Sequence, residues 1–208
     1  MPESAIEQPR LGRRERKKAA THKALADAAL RLFLERGYDA VGIREIAEAA
    51  DVSVTTLFKH FPSKEALVFD QEDDIEAALL SAVRDRDPGR SIPAALREYV
   101  VRDRFPRRGN RSDPRWDQFQ KLIEETPALR EYSRKAWMRY ELALAAAIAD
   151  EVGAPHDDPT CRALAHFSIE VIDLVFDSPD PELMVERAFD LLEQGWQTVG
   201  GPAAGTTA

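Results

Sequence analysis

Residues 43–67 read IREIAEAADVSVTTLFKHFPSKEAL. Ile43, Ile46, Ala47 and Ala50 recur at helical spacing, so the stretch opens with a short helix, Ile43–Ala50. Asp51-Val52-Ser53 then forms a tight turn. Aspartate tolerates the left-handed backbone that such a turn demands. Ser53 is a good N-cap for a second short helix, Val54–His60, held down by Leu57 and Phe61 at i, i+4. Pro62 stops it, because proline disfavours helical geometry in the residue before it. Ser63 caps a fourth helix, expected to run without a break to Arg86.

Working outward, Leu25, Ala28, Ala29, Leu32 and Phe33 place one apolar face on a helix from about Lys18 to Arg36. Gly37 ends it as a left-handed cap, and Tyr38 folds back on its last turn. A helix, then two short helices joined by a three-residue turn, is the layout of a helix-turn-helix DNA reader. The second short helix must be fixed from below and free above, to enter a major groove about 12 Å wide. Val54, Thr55, Thr56 and Lys59 lie away from Leu57. A purely structural three-helix unit would carry the same apolar pattern.

The 208-residue chain has a net charge of −8, unevenly spread. Residues 1–64 carry 12 Lys and Arg against 9 Asp and Glu, and the remainder 17 against 28. Only the front is suited to phosphate. There Arg13, Arg14, Arg16, Lys17 and Lys18 form a basic run, which serves either a solvated helix start or phosphate contact. The single cysteine, Cys161, cannot form an intramolecular disulfide and reads as a small core hydrophobe in a reducing cytoplasm. No apolar run reaches the ~20 residues a bilayer needs, so no membrane partner is expected. His22, His156 and His166 make no metal-ligand spacing. No nucleophile elbow, phosphate-cradling glycine loop or HExxH motif is present, so neither catalysis nor a cofactor is expected.

The stretch ALADAALRLFLERGYDAVGIREIAEAADVSVTTLFKHFPSKEALV, residues 24–68, closely resembles the DNA-binding domain of the TetR family of bacterial regulators. The resemblance implies that Arg44 touches a base edge or phosphate and that Val54, Thr55 and Thr56 face bases. It implies that Lys59 and His60 reach phosphates or flanking bases, and that Lys64 contacts phosphate beside a helix terminus. Three departures stand out. Phe58 occupies a usual tyrosine position, Thr55 a frequent glycine, and Val41-Gly42 the usual threonines, so the second helix lacks a side-chain cap.

Beyond residue 86 the pattern is helical throughout, and nine helices with no strand signal are expected. Asp87-Pro88-Gly89 breaks the chain. Helices follow at about Ile92–Arg104, Pro114–Glu125 (capped by Asp113), Ala128–Val152, Pro159–Phe176 and Pro181–Val199. The division expected is a disordered arm (1–12), a helix-turn-helix domain (13–63), a helical effector-binding and dimerisation domain (64–199) and a disordered tail (200–208). In the last two helices Leu164, Phe167, Val171, Ile172 and Val175, and Leu183, Val185, Phe189, Leu192 and Trp196, form wide apolar faces. The family resemblance implies a homodimer through these helices. It also implies a pocket for a small effector, for which Phe105, Trp116, Phe119, Trp137 and Tyr140 are the candidate lining. Residues 113–141 further resemble actinobacterial members that answer acyl-CoA-like or lipophilic effectors. The function expected is a repressor that leaves double-stranded operator DNA when its effector binds. The alternative is a ligand-independent DNA-binding adaptor whose C-terminal half holds a protein partner.

Overall fold

The computed structural model describes residues 12–104 and 114–199. Among them are nine α-helices and no strand. They are α1 (Arg13–Arg36), α2 (Ile43–Ala49), α3 (Val54–His60), α4 (Glu72–Arg84), α5 (Ile92–Tyr99), α6 (Pro114–Glu125), α7 (Pro127–Val152), α8 (Pro159–Asp177) and α9 (Pro181–Thr198). A 3-10 turn, Glu65–Leu67, precedes α4, and α5 runs on into a π-helical turn, Val100–Arg104. The arm before Gly12, the Asp113 cap and the tail after Val199 lie outside the described residues.

The chain divides into two compact units. One runs through Asp70 and includes Leu122–Thr126; the other begins at Gln71 and holds the rest. In the first unit α1 packs on α2 and α2 on α3, and Leu25, Ala28, Ala29, Leu32 and Phe33 of α1, Ile46 and Ala47 of α2, Leu57 of α3, and Phe61 are all buried. The turns are built locally. Asp51 has φ 53°, the left-handed value its side chain tolerates. Ser53 Oγ accepts the Thr56 N–H at 3.1 Å, capping α3. Gly37 has φ 85° and ψ 153°. This is a glycine-only region beyond the left-handed helical cap expected, and strain there would cost another residue about 1–3 kcal/mol. Gly42 offers no capping side chain. Glu45 compensates by reaching back to accept the Gly42 N–H at 2.8 Å while pairing with Arg36 at 2.7 Å.

The continuous Ser63–Arg86 helix does not form. Ser63 Oγ accepts only the Ala66 N–H of the 3-10 turn, and the helix restarts at Glu72. Two forces explain the break. The His22 ring donates from Nε2 to the Asp70 carbonyl at 3.2 Å. Glu72, Asp73 and Asp74 are stabilised in the first turn of a helix, whose N-terminus is positive, and gain nothing in mid-helix. The buried residues Ala66, Leu67 and Val68 therefore pack with the first unit, across the expected 63/64 division.

The second unit packs α7 on α8, α8 on α9, α4 on α7, and α5 on α4 and α9. Its core joins Leu79 and Val83 of α4, Ile92 and Leu96 of α5, Leu144 and Ile148 of α7, Leu164 and Ile172 of α8, and Val185 and Phe189 of α9. Asp158 caps α8 and Asp180 caps α9, each before a proline in the first turn. The wide apolar faces of α8 and α9 are mostly used inside the unit. Leu164, Val171, Ile172, Val175, Val185, Phe189 and Trp196 are buried, and Leu192 packs partly against the core. Phe167 and Leu183, with Leu174 and Leu191, remain 46–71% exposed.

Leu57 is fully buried and is the main anchor of α3. Leu57→Ala is expected to destabilise the first unit by about 2–5 kcal/mol. Thermal unfolding followed by amide hydrogen exchange would show early opening of α1–α3, with protection of α7 and α8 unchanged.

Candidate DNA-reading surface and effector core

Helix α3 has seven residues, and Leu57 alone of them is fully inward. Thr55, Phe58 and Lys59 are exposed, and Val54 and Thr56 are half-buried. The Thr56 hydroxyl lies 2.9 Å from Ser53 Oγ, so it is shared with the helix cap. Arg44 is exposed on α2. Among the described residues no hydrogen bond or ion pair engages Arg44, Lys59 or Thr55. These side chains are free to meet a ligand without first breaking a contact. The basic run on the first turns of α1 is exposed throughout.

Lys64 behaves differently. Its ammonium donates to the Tyr38 carbonyl at 2.6 Å and sits over the Tyr38 ring, 4.0 Å from the centroid. Burial pulls its pKa below the ordinary lysine value, against the opposing charges of Asp39, Glu65 and Glu45. The Tyr38 hydroxyl donates to Glu65 at 2.8 Å, and burial foremost raises its pKa. Tyr38 itself packs on Phe33 with centroids 5.1 Å apart. Lys64 is thus a strut that locks the turn after α1 to the segment after α3, and a phosphate would have to compete for it. Sequence spacing has no signal for this inward turn.

His60 is half-buried at the end of α3. Its ring lies 5.9 Å from His22, and its Nδ1 is buried with no hydrogen-bond partner among the described residues. Burial lowers its pKa most, followed by the charges of His22 and Lys18. That nitrogen faces protein; any phosphate contact falls to the rest of the ring.

In the second unit Trp137 and Tyr140 meet edge to face at 5.4 Å. Phe119 is half-buried on α6. Phe105 and the Trp116 side chain lie outside the described residues. The Tyr140 hydroxyl donates to the Glu72 carbonyl at 3.2 Å, Tyr132 donates to the Glu72 carboxylate at 2.8 Å, and Arg139 pairs with that carboxylate too. The first residue of α4 is therefore clamped by three side chains of α7, one of which, Tyr140, belongs to the aromatic pair. Ser168 is 1% exposed on α8, and its hydroxyl has no partner among the described residues. A serine seven residues after Cys161 on an apolar helix face was the available signal for it. Cys161 is buried, and burial pushes its thiol up to about 11, so it stays protonated at neutral pH. A shallow surface groove of about 430 Å³ runs along α4, lined by Asp73, Glu76, Leu80, Ser81, Arg84 and neighbours. It shares no residue with the aromatic set. Among the described residues no three His, Cys, Asp or Glu side chains converge on a metal-sized site, and no helix is long and apolar enough to cross a membrane.

Two expected outcomes follow from these buried groups. A histidine whose folded pKa is depressed stabilises the fold fully above its ordinary value of about 6.5 and loses that contribution as pH falls toward the folded value. Hydrogen exchange of α3 should therefore accelerate as pH drops below 6.5, after correction for intrinsic rates, and His60→Gln should flatten that dependence. Ser168→Ala removes an unsatisfied buried hydroxyl and should raise the melting temperature of the ligand-free protein, by the equivalent of about 1–3 kcal/mol. An unchanged or lower value would mean the hydroxyl is satisfied in solution.

Residues 25–70 match the family model described as bacterial regulatory proteins, tetR family, and residues 90–197 match the MftR C-terminal domain. The chain is 34% identical over 152 residues to the transcriptional regulator TcmR of Streptomyces glaucescens, covering 71% of this chain and 67% of that protein. It is 31% identical over 142 residues to the transcriptional repressor KstR of Rhodococcus jostii, covering 68% of this chain and 58% of that one. Among solved structures, the TetR family repressor AlkX of a Dietzia strain superposes with a TM-score of 0.54 at 22% identity, covering 85% of this chain and 97% of AlkX. A likeness at that identity shows the common fold. The helix-turn-helix, the helical second unit and these matches agree: the chain belongs to the TetR family of bacterial transcriptional regulators, proteins that bind operator DNA and are not enzymes, and it carries an MftR-type C-terminal domain.

Proposed function

We propose that the protein is a cytoplasmic homodimeric repressor that holds its operator through α3 and releases it when a small lipophilic effector enters the second unit. The observation that carries this reading is the presentation of α3. Leu57 and Phe61 pin it from below, while Thr55 and Lys59, with Arg44 of α2, stand outward and unengaged. Thr55 and Val54 would face bases, with Thr56 and the exposed part of His60 at the margins. Lys59, Arg44 and the basic run of α1 would meet phosphate. Lys64 supports the surface from behind.

A single seven-residue helix reads too few base pairs for tight specific binding. Two copies related by a two-fold axis would place α3 in successive major grooves, roughly 34–36 Å apart. The exposed Phe167, Leu174, Leu183 and Leu191 of α8 and α9 supply an apolar surface for that pairing.

The effector reading rests on Trp137 and Tyr140, with Phe105, Trp116 and Phe119 as further lining, and on the unpaired Ser168 hydroxyl as a polar anchor in an apolar interior. Tyr140 also holds Glu72, where the chain enters α4. A ligand that displaces Tyr140 would free the start of α4, and DNA affinity would fall by the ligand's differential affinity for the two states.

Enrichment of duplexes from random DNA by the purified full-length protein tests the reading. A palindromic site bound as a dimer, with affinity falling steeply as salt rises, is the expected result. Lys59→Ala should weaken binding to all sequences alike and reduce the salt slope by about 1, measured by fluorescence anisotropy across salt concentrations. A slope and affinity equal to wild type would remove Lys59 from the interface. Intact operator binding with no thermal shift from any lipophilic ligand would favour the ligand-independent adaptor.

A further inference from the structure

Phe58 is 51% exposed, on the helix that is otherwise the DNA-reading surface. Among the described residues no ring or hydrogen-bonding contact engages it. Its neighbours Leu57 and Phe61 are buried, whereas it points out beside the exposed Thr55 and Lys59. We propose that Phe58 is a specificity residue that reads the C5-methyl group of a thymine in each operator half-site. The proposal rests on the DNA-binding reading above.

The chemistry is restrictive. A phenyl ring neither donates nor accepts a conventional hydrogen bond, so it cannot recognise a phosphate oxygen or the polar edge of a base. In the major groove, the thymine methyl is the apolar feature that distinguishes one base from another. Lys59, next in sequence to Phe58, and Arg44 on α2 of the same helix-turn-helix are exposed and suited to a polyanion. Lys59 bound to phosphate would hold the adjacent ring at the groove wall. A ring left half in water gains by covering a methyl, and cytosine, guanine and adenine offer none. The sugar face of the backbone is also apolar, but contact with it would be indifferent to sequence.

The test uses the duplex enriched from random DNA by the full-length protein. Each thymine is replaced in turn by deoxyuridine, which removes the methyl and leaves base pairing intact. The expected result is one position per half-site where the change weakens binding about fourfold, the value of one buried methyl-sized group. Phe58→Ala should bind the unmodified operator more weakly and be indifferent to deoxyuridine there. Phe58→Leu, still apolar, should keep part of the penalty. A melting temperature equal to wild type shows that the exposed substitution leaves the fold intact. Should every deoxyuridine penalty persist in Phe58→Ala, or no thymine be sensitive, the methyl-reading role is overturned while DNA binding stands. Enrichment of no duplex at all would overturn both.

Discussion

A helix of seven residues cannot sustain its own hydrogen bonds in water, because nucleation costs more than so few bonds return. Helix α3 exists because Leu57 and Phe61 are buried, with α3 packed on α2 and the Phe61 ring on His22 of α1. Everything assigned to the DNA-reading surface depends on that burial. It fixes the angle of the helix, and it leaves the opposite side free of any structural duty. The Ser53 cap adds a local contribution, but only the hydrophobic anchor decides which face looks outward.

The charged residues of the first unit divide into two groups with different work. The Arg36–Glu45 ion pair and, separately, the Lys64–Tyr38–Glu65 hydrogen bonds tie the turns together. Arg44, Lys59 and the basic run of α1 stay in solvent. Exposed pairs contribute little to stability, so the outward cations are more valuable to a polyanion than to the fold. The inward Lys64 gains from a carbonyl and a ring face together, and it gives up part of its hydration to do so.

In the second unit a cluster of polar contacts gathers on Glu72, at the very start of α4. Two tyrosines and an arginine of α7 hold its carboxylate and carbonyl. The clamp fixes the start of α4 at a point where a helix from Ser63 to Arg86 would have run on unbroken.

Much of the fold was legible in the residues themselves. Asp51, Ser53, Asp158-Pro159 and Asp180-Pro181 act on backbone within a few positions, so α3, α8 and α9 start where their local chemistry says. The face of α1 was equally plain, since Leu25 through Phe33 repeat at helical spacing and all are buried. What the residues could not reveal depends on partners far along the chain. His22 takes the Asp70 carbonyl and the helix breaks there; Tyr38 takes Lys64 and turns it from the surface inward. The apolar faces of α8 and α9 read as one broad interface, yet most of that area is spent within the unit, because periodicity marks a buried face without saying which helix covers it. Local sequence thus determined the helices and their ends, while tertiary packing decided which side chains remained available, since availability is settled by whatever distant group arrives first at hydrogen-bonding or van der Waals range.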